Sequence, residues 1–368
     1  MKPVLFLTGH APPDRIGAFA ALHELENVEF ALFGGPSKHA TAEPPAQRLA
    51  FPHRRVTQRA SARLIISGRY RAVVVSTAGR VALPLSWAAA RRAGVPLILW
   101  SSLWAHPRSA AHVFSYLALR RLYRSADAVV TYGPHVSAYV KARGARNVHV
   151  AAQAVDNAFW GSPETSPPTH GTWPEGTAVK FLFAGRPSRE KGLQVLLRAW
   201  RASGLTTSSA ALVLVGVRSV PPWIHAGGAA DIFEEKVICA GELDPVAMRN
   251  FYGAADVLVL PSIATRTFRE PWGLVINEAM NQHLPVIASD AVGAVAGGLV
   301  RPSHNGLVVA GGDVAGLAAA MKRLAEDPHA RACMGEQGAR DVQAYTYQAW
   351  ARGFSDALHS LHLSRRGW

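Results

Sequence analysis

A chain of 368 residues with 49% hydrophobic composition is long enough for about two globular domains, each with its own core. Its two cysteines, Cys239 and Cys333, suggest a reducing compartment and no metal site. Nothing approaches the roughly twenty apolar residues a membrane span needs, and the apolar run in residues 1–9 is too short for a signal peptide; a cytoplasmic location is expected.

The formal net charge of +14 is carried by one half: residues 1–155 hold 20 Lys/Arg against 6 Asp/Glu, and residues 156–368 hold 19 of each. Such asymmetry points to a polyanionic partner for the first half, whether an anionic membrane face, a phosphorylated acceptor or nucleic acid. An arginine-rich coding bias would give the same count. Zinc-ligand spacing, an RNP motif and an aromatic–basic stripe are all missing, which argues against a specific nucleic-acid partner.

Taken in chain order, residues 4–7, 28–33, 72–76, 96–100, 128–132 and 148–151 read as strands, with helical patterns between them, as at 88–93 and 110–123. Near-continuous apolar strands joined by helical crossovers mean a parallel sheet covered on both faces. Residues 1–160 are therefore expected to form a Rossmann-like domain. Two basic runs lie in it: Arg48, Arg54, Arg55, Arg59 and Arg63, then Arg120, Arg121 and Arg124 near a helix end. Cations at a helix C-terminus complement its dipole. With Phe114, Tyr116, Leu119 and Tyr123 nearby, that helix would also suit a membrane surface. Residues 161–177, rich in Pro, Gly, Ser and Thr, read as a linker.

The alternation repeats with strands at 179–183, 211–215, 237–239, 257–260, 286–288 and 306–309, so residues 178–344 are expected to form a second Rossmann-like domain. Residues 345–368 follow it and are helical over 345–363. The first strand runs into Gly185-Arg186 and reaches Lys191-Gly192 just before a helical pattern. Gly185 permits a sharp turn, and a glycine turn, two cations and a helix start make an anion site. Gly216 and Arg218 follow the second strand, and Glu242 and Leu243 follow the third, where turns meet ligands in open α/β sheets. Pro261-Ser262 follows the fourth. Beyond it, Glu270-Pro-Trp-Gly-Leu-Val-Ile-Asn-Glu278 places two carboxylates around a proline and a glycine. Pro271 keeps Glu270 extended, and Gly273 opens a helical pattern whose first amides suit a phosphate.

In this order and spacing, Gly185-Arg186-x4-Lys191-Gly192 and Glu270-x7-Glu278 resemble the retaining glycosyltransferases of the GT-B fold, family 4 (glycosyl transferases group 1). The resemblance is strong over residues 179–327 and weak before residue 151. It implies two Rossmann-like domains facing a central cleft, a C-terminal helix crossing back to the first domain, acceptor binding in the first domain and a nucleotide-diphosphate sugar in the second. Arg186 and Lys191 would hold the diphosphate with the amides of Gly273, Leu274 and Val275. Glu270 would orient the sugar and Glu278 would bind the ribose. Gly216, Arg218, Glu242 and Leu243 would meet the base. Asp256 matches a structural position. The first domain usually supplies a paired glycine near the donor phosphates; here only Gly17 stands at that point, with Gly9 and His10 as alternatives. His106, in Trp104-Ala-His106-Pro107, is the best match for a histidine near the reacting carbon or the acceptor.

The expected activity is transfer of a sugar to a hydroxyl of a glycan, glycolipid or small molecule, in cell-surface glycan assembly by analogy, with the basic half at the inner membrane face. An Asp-x-Asp triplet is missing from the sequence, so turnover without metal or other cofactor is expected. A nucleotide-sugar epimerase of the same fold and a non-enzymatic polyanion binder are the rival readings.

Overall fold

The computed structural model describes residues 1–34, 49–77, 79, 81–108, 110–163, 173–174, 176–205, 210–224 and 237–365. Arg48 and most of the expected linker lie outside them. The chain divides into two units: Met1–Asp156 with Tyr345–Trp368, and Asn157–Ala344.

Among the described residues, unit one holds a seven-stranded parallel sheet of order β3-β2-β1-β4-β5-β6-β7. Its strands are β1 (Val4–Thr8), β2 (Val28–Leu32), β3 (His53–Arg55), β4 (Ala72–Ser76), β5 (Leu97–Ser101), β6 (Ala128–Thr131) and β7 (Val148–Val150). Five apolar runs become buried strands because the sheet is covered on both faces. The edge strand β3 carries only His-Arg-Arg, a pattern with no apolar signal to read.

Helices α1 (Pro13–Glu26), α2 (Ala60–Ile66), α3 (Ala82–Ala93), α4 (Ala110–Ser125) and α5 (Pro134–Lys141) connect the strands. Side chains alternate across β1: Val4 and Phe6 join a core with Phe19 and Leu22 of α1, while Leu5 and Leu7 join one with Ile65, Leu83, Tyr123 and Val136 of α2 to α5.

Unit two holds a six-stranded parallel sheet of order β10-β9-β8-β11-β12-β13 among the described residues. The strands are β8 (Val179–Ala184), β9 (Ala210–Val215), β10 (Val237–Gly241), β11 (Val257–Leu260), β12 (Val286–Ser289) and β13 (Gly306–Val309). Its helices are α6 (Asn157–Trp160), α7 (Leu193–Ala202), α8 (Pro222–Ile224), α9 (Pro245–Ala254), α10 (Val275–Asn281), α11 (Gly293–Ala296), α12 (Val314–Glu326) and α13 (Pro328–Val342). Asp244, Asp313 and Asp327 cap α9, α12 and α13 by accepting from backbone amides at 2.9, 2.9 and 2.8 Å, each worth about 1 kcal/mol. Helix α6 belongs to this unit because Asn281 Nδ2 donates to Asn157 Oδ1 at 3.0 Å and Gln282 Nε2 donates to Trp160 O.

The last helix, α14 (Tyr347–His359), returns to unit one. Trp350 and Phe354 enter the core beside Phe6 and Phe19. The tail beyond it is tied to a buried ion pair. Arg71 Nη2 lies 2.8 Å from Glu26 Oε2, and Arg71 Nε donates to Leu363 O at 2.7 Å. Glu26 also accepts from Ser364 Oγ at 2.6 Å, from Arg365 N at 2.8 Å and from Ser355 Oγ. No helix among the described residues is long and apolar enough to cross a membrane.

Candidate functional site

In unit two the strand order reverses between β8 and β11, and ligands of open α/β sheets bind outside the strand C-termini at such a point. Both sequence motifs fall there. The loop after β8 carries Gly185 to Gly192, and the loop after β11 carries Ser262 to Gly273.

The two motifs meet. Lys191 Nζ lies 2.5 Å from Glu270 Oε2, with the side chains 16% and 9% exposed. Ser262 Oγ donates to the same carboxylate oxygen at 3.4 Å. Residues 79 apart in sequence thus form a charge-assisted contact in a largely dry setting, where such contacts are strong. Arg186, one residue past Gly185, is exposed, so its guanidinium is open to an anion.

Backbone approach explains the glycines. The left-handed turn falls at Gly192 (φ +72°), not at Gly185; a Cβ on Gly192 would lie 1.9 Å from Pro261 O, so the β8 and β11 loops touch there. Gly216 (φ +84°) likewise lets the β9 loop touch Gly185 O, which a Cβ would meet at 2.5 Å. Gly273 (φ +93°) turns the chain into α10 over Leu260. The helix begins at Val275 rather than at Gly273, with Leu274 at the N-cap and no side-chain cap. Gly293, which lies outside both motifs, holds the Glu270 loop in place. Its amide donates to Glu270 O at 3.0 Å, and a Cβ there would meet Pro271 O at 2.0 Å. Its only sequence signal is a glycine directly after the β12 region.

Glu278 is half-buried in the first turn of α10 and accepts from Tyr252 Oη at 2.8 Å. Tyr252 on α9 is fully buried. Burial, with the Glu278 charge and hydrogen bond behind it, pushes its phenol well above the ordinary range, so it stays a donor to Glu278. Nothing local in the sequence marks this partner. Trp272 Nε1 donates to Asn277 Oδ1 at 2.8 Å inside the protein, bracing the segment between the two glutamates.

Arg218 Nη2 and Glu242 Oε2 form a 3.2 Å pair that is open to solvent. Gly216 N donates to Gly241 O at 2.6 Å and joins their two loops. Leu243 is half-buried beside them. Asp256 works on the backbone: its carboxylate accepts from Lys180 N at 2.7 Å.

In unit one, His106 lies in the loop after β5, half-buried, with Nδ1 3.3 Å from Tyr139 Oη and its ring edge-on to Tyr116 at 5.3 Å. Gly17 lies one turn inside α1, where a Cβ would stand 2.2 Å from the Tyr347 ring of α14; its smallness makes room for that ring. Gly9 and His10 follow β1 directly. Among the described residues, no group of three His, Cys, Asp or Glu is placed to hold a metal ion.

Residues 178–327 match the family model "Glycosyl transferases group 1". A D-inositol 3-phosphate glycosyltransferase of Arthrobacter sp. (strain FB24) is 31% identical over 204 residues, 51% of this chain and 44% of that protein. A glycogen synthase of Mycobacterium tuberculosis is 26% identical over 212 residues, 57% of this chain and 48% of that one. The matches thus span less than half the length of either relative. The crystal structure of Anabaena Alr3699/HepE in complex with UDP and glucose superposes with a TM-score of 0.74 over 98% of this chain and 100% of its own, at 19% identity. Two Rossmann-like units with a final helix returning to the first make this a GT-B architecture, and residues 178–327 within it carry the match to the glycosyl transferases group 1.

Proposed function

We propose that the protein is a retaining glycosyltransferase that moves a sugar from a nucleotide-diphosphate donor to a hydroxyl of a glycan, glycolipid or small-molecule acceptor, in the cytoplasm and without a metal. One observation carries the reading: Lys191 and Glu270, one from each motif, share a buried contact at the switch point of the second sheet.

Arg186, Lys191 and the amides of Gly273 to Val275 stabilise the diphosphate as negative charge grows on it. Glu270 orients the sugar hydroxyls, and Tyr252 fixes Glu278 for the ribose. Arg218, Glu242 and Leu243 serve the base, and of the unit-one residues Gly9 and His10 serve the phosphates, because Gly17 is taken up by the Tyr347 ring. His106 contacts the sugar or the acceptor. The acceptor oxygen bonds to the anomeric carbon on the face from which the phosphate oxygen leaves, and that oxygen takes the acceptor proton. Glu270 and Glu278 need not act as the paired carboxylates of a double displacement.

Support for a metal-free reaction is the lack of an Asp-x-Asp triplet in the sequence. The UDP in the Alr3699/HepE complex makes UDP the first nucleotide to try. The test is a thermal shift with UDP, GDP, ADP and dTDP, each with and without EDTA. A ligand at a hundred times its Kd adds about 2.7 kcal/mol to the folded state. The expected result is a chelator-resistant shift for one diphosphate; no shift with any of the four, or a shift abolished by EDTA, would overturn the corresponding part of the proposal.

A further inference from the structure

Unit one is polarised across its sheet. One face is covered by α2 to α5. Between Glu43 and Asp127 the sequence contains fourteen arginines and neither aspartate nor glutamate, and α5 has no acid either. The carboxylates of the other helix layer, Asp14, Glu24 and Glu26 on α1 and Asp356 on α14, stand across the sheet.

Helices α2, α3 and α4 form one continuous layer. Gln58 Oε1, just before α2, accepts from Val81 N and Ala82 N at the start of α3, at 3.0 and 3.1 Å. Trp87 Nε1 of α3 donates to Ser125 Oγ of α4 at 2.8 Å, and the Arg121 guanidinium lies 5.5 Å from the Trp87 ring centre.

On the outside of this layer Arg63, Arg91, Arg92, Arg120, Arg121 and Arg124 are all exposed. None of them is in an ion pair among the described residues. The same three helices also expose Ile66, Leu85 and Leu117, the last to 68%.

Like charges without internal partners call for an external anion. A nucleic-acid backbone would take the arginines but has no use for protruding aliphatic side chains. An anionic bilayer uses both, seating the apolar groups among the headgroups and the guanidinium groups on the phosphates.

We infer that the outer face of α2, α3 and α4 docks on an anionic lipid surface, with Leu117, Leu85 and Ile66 entering the headgroup layer. The inference stands independently of the sugar chemistry assigned to unit two.

The test is co-sedimentation of the full chain with vesicles of neutral phosphatidylcholine and of phosphatidylcholine with about a third phosphatidylglycerol. The expected result is binding to the anionic vesicles only. The Arg120→Glu/Arg121→Glu/Arg124→Glu variant should bind about a hundredfold more weakly, at a few-fold per arginine. An equal charge change elsewhere, Arg201→Glu/Arg323→Glu/Arg352→Glu, should have a several-fold smaller effect. Leu117→Ser/Ile66→Ser should weaken binding even at salt high enough to screen the arginines. All of these positions are exposed, and unchanged thermal melts would show that the variants fold. Equal binding to both vesicle types, or equal losses for the two charge variants, would overturn the proposal. So would displacement from vesicles by a short DNA duplex together with no effect of the apolar substitutions, which would make the face a nucleic-acid surface.

Discussion

In unit two a partly buried lysine and a buried glutamate meet at the C-terminal edge of the sheet, whereas in unit one a buried arginine side chain and a buried glutamate meet at the N-terminal edge. The scaffolds are otherwise alike. Each sheet reverses its strand order beside its first strand, at β1/β4 and β8/β11. Each also has an aspartate that enters a strand and clasps its neighbour: Asp127 Oδ2 accepts from Leu97 N at 2.7 Å, and Asp256 Oδ2 accepts from Lys180 N at 2.7 Å. The Lys191–Glu270 pair lies where a ligand of such a sheet binds. The Glu26–Arg71 pair lies where α1 ends and β4 begins, with its spare donors and acceptors on Lys2, Leu363, Ser364 and Arg365. Burial and pairing are common to both. Position relative to the strand ends separates a pair that can serve chemistry from one that holds the chain together.

The largest expected effect comes from breaking the structural pair. Arg71→Met leaves the Glu26 carboxylate buried without its cation, and such a change costs about 3–5 kcal/mol. Urea unfolding of the whole chain should show that loss, and Arg71→Met/Glu26→Gln should recover much of it. Donor binding by the folded fraction should be unchanged. Loss of nucleotide binding at full stability would put Glu26 and Arg71 in the site and dissolve the contrast between the edges.

Lys191→Met and Glu270→Gln test the other side. Each should lower transfer about 10²–10³-fold, the usual cost of removing one preorganised stabilising group. The Tm should move less than for Arg71→Met, because the Lys191 side chain keeps 16% of its surface exposed where that of Arg71 keeps 7%, and the loops are held by backbone contacts at Gly192, Gly216 and Gly293. A chain that kept its activity but unfolded in milder urea would show that this pair, too, is structural.

Much of unit two was legible because apolar runs with glycine-bounded ends are local signals. All six of its strands fall where the runs do, and both motifs sit in the loops they were expected to occupy. Three kinds of feature escaped for a physical reason. The edge strand β3 is polar, so periodicity carries no trace of it. The Lys191–Glu270 contact and the Tyr252 partner of Glu278 join residues 79 and 26 apart, and no local pattern encodes that meeting. Gly17 could be read as a phosphate-loop glycine because smallness for a ligand and smallness for a neighbouring ring look alike in sequence; only the position of Tyr347 tells them apart.

A milder test concerns how the site carboxylate is held. Tyr252→Phe removes the phenol that donates to Glu278 and little else. Losing a hydrogen bond to a charged group costs about 1.5–3 kcal/mol when the charge stays dry and less where water can replace the donor. Because Glu278 is half-buried, the donor diphosphate should bind about five- to tenfold more weakly by calorimetry, with transfer from the bound donor nearly unchanged. An unaltered Kd would mean that Tyr252 braces α9 against α10 without serving the nucleotide.

The smallest expected effect extends the comparison to a carboxylate of unit two that lies away from the ligand edge. Asp341 on α13 accepts from Arg301 Nη2 at 2.7 Å, Asn305 Nδ2 at 2.8 Å and Gln337 Nε2 at 3.1 Å, with His304 Nε2 at 3.0 Å, closing the turn that leads into β13. Burial by itself would raise its carboxyl, but the hydrogen bonds from Arg301, Asn305 and Gln337, with the Arg301 charge, together outweigh that and hold it below the ordinary range. A carboxyl lowered on folding adds stability that is complete above its unfolded value, about 3.9. That stability is lost as the pH falls through the lower folded value. Asp341→Asn should therefore cost about 1–2 kcal/mol near pH 7, and the gap to the parent chain should narrow steadily as the pH falls below about 4, while diphosphate binding near pH 7 is unaffected. Urea midpoints across that range decide it. A gap that stays constant down to pH 3 would mean the amide fails through shape and not through charge; a loss of diphosphate binding would mean that strand-end position does not divide the carboxylates of this unit as it divides the two buried pairs.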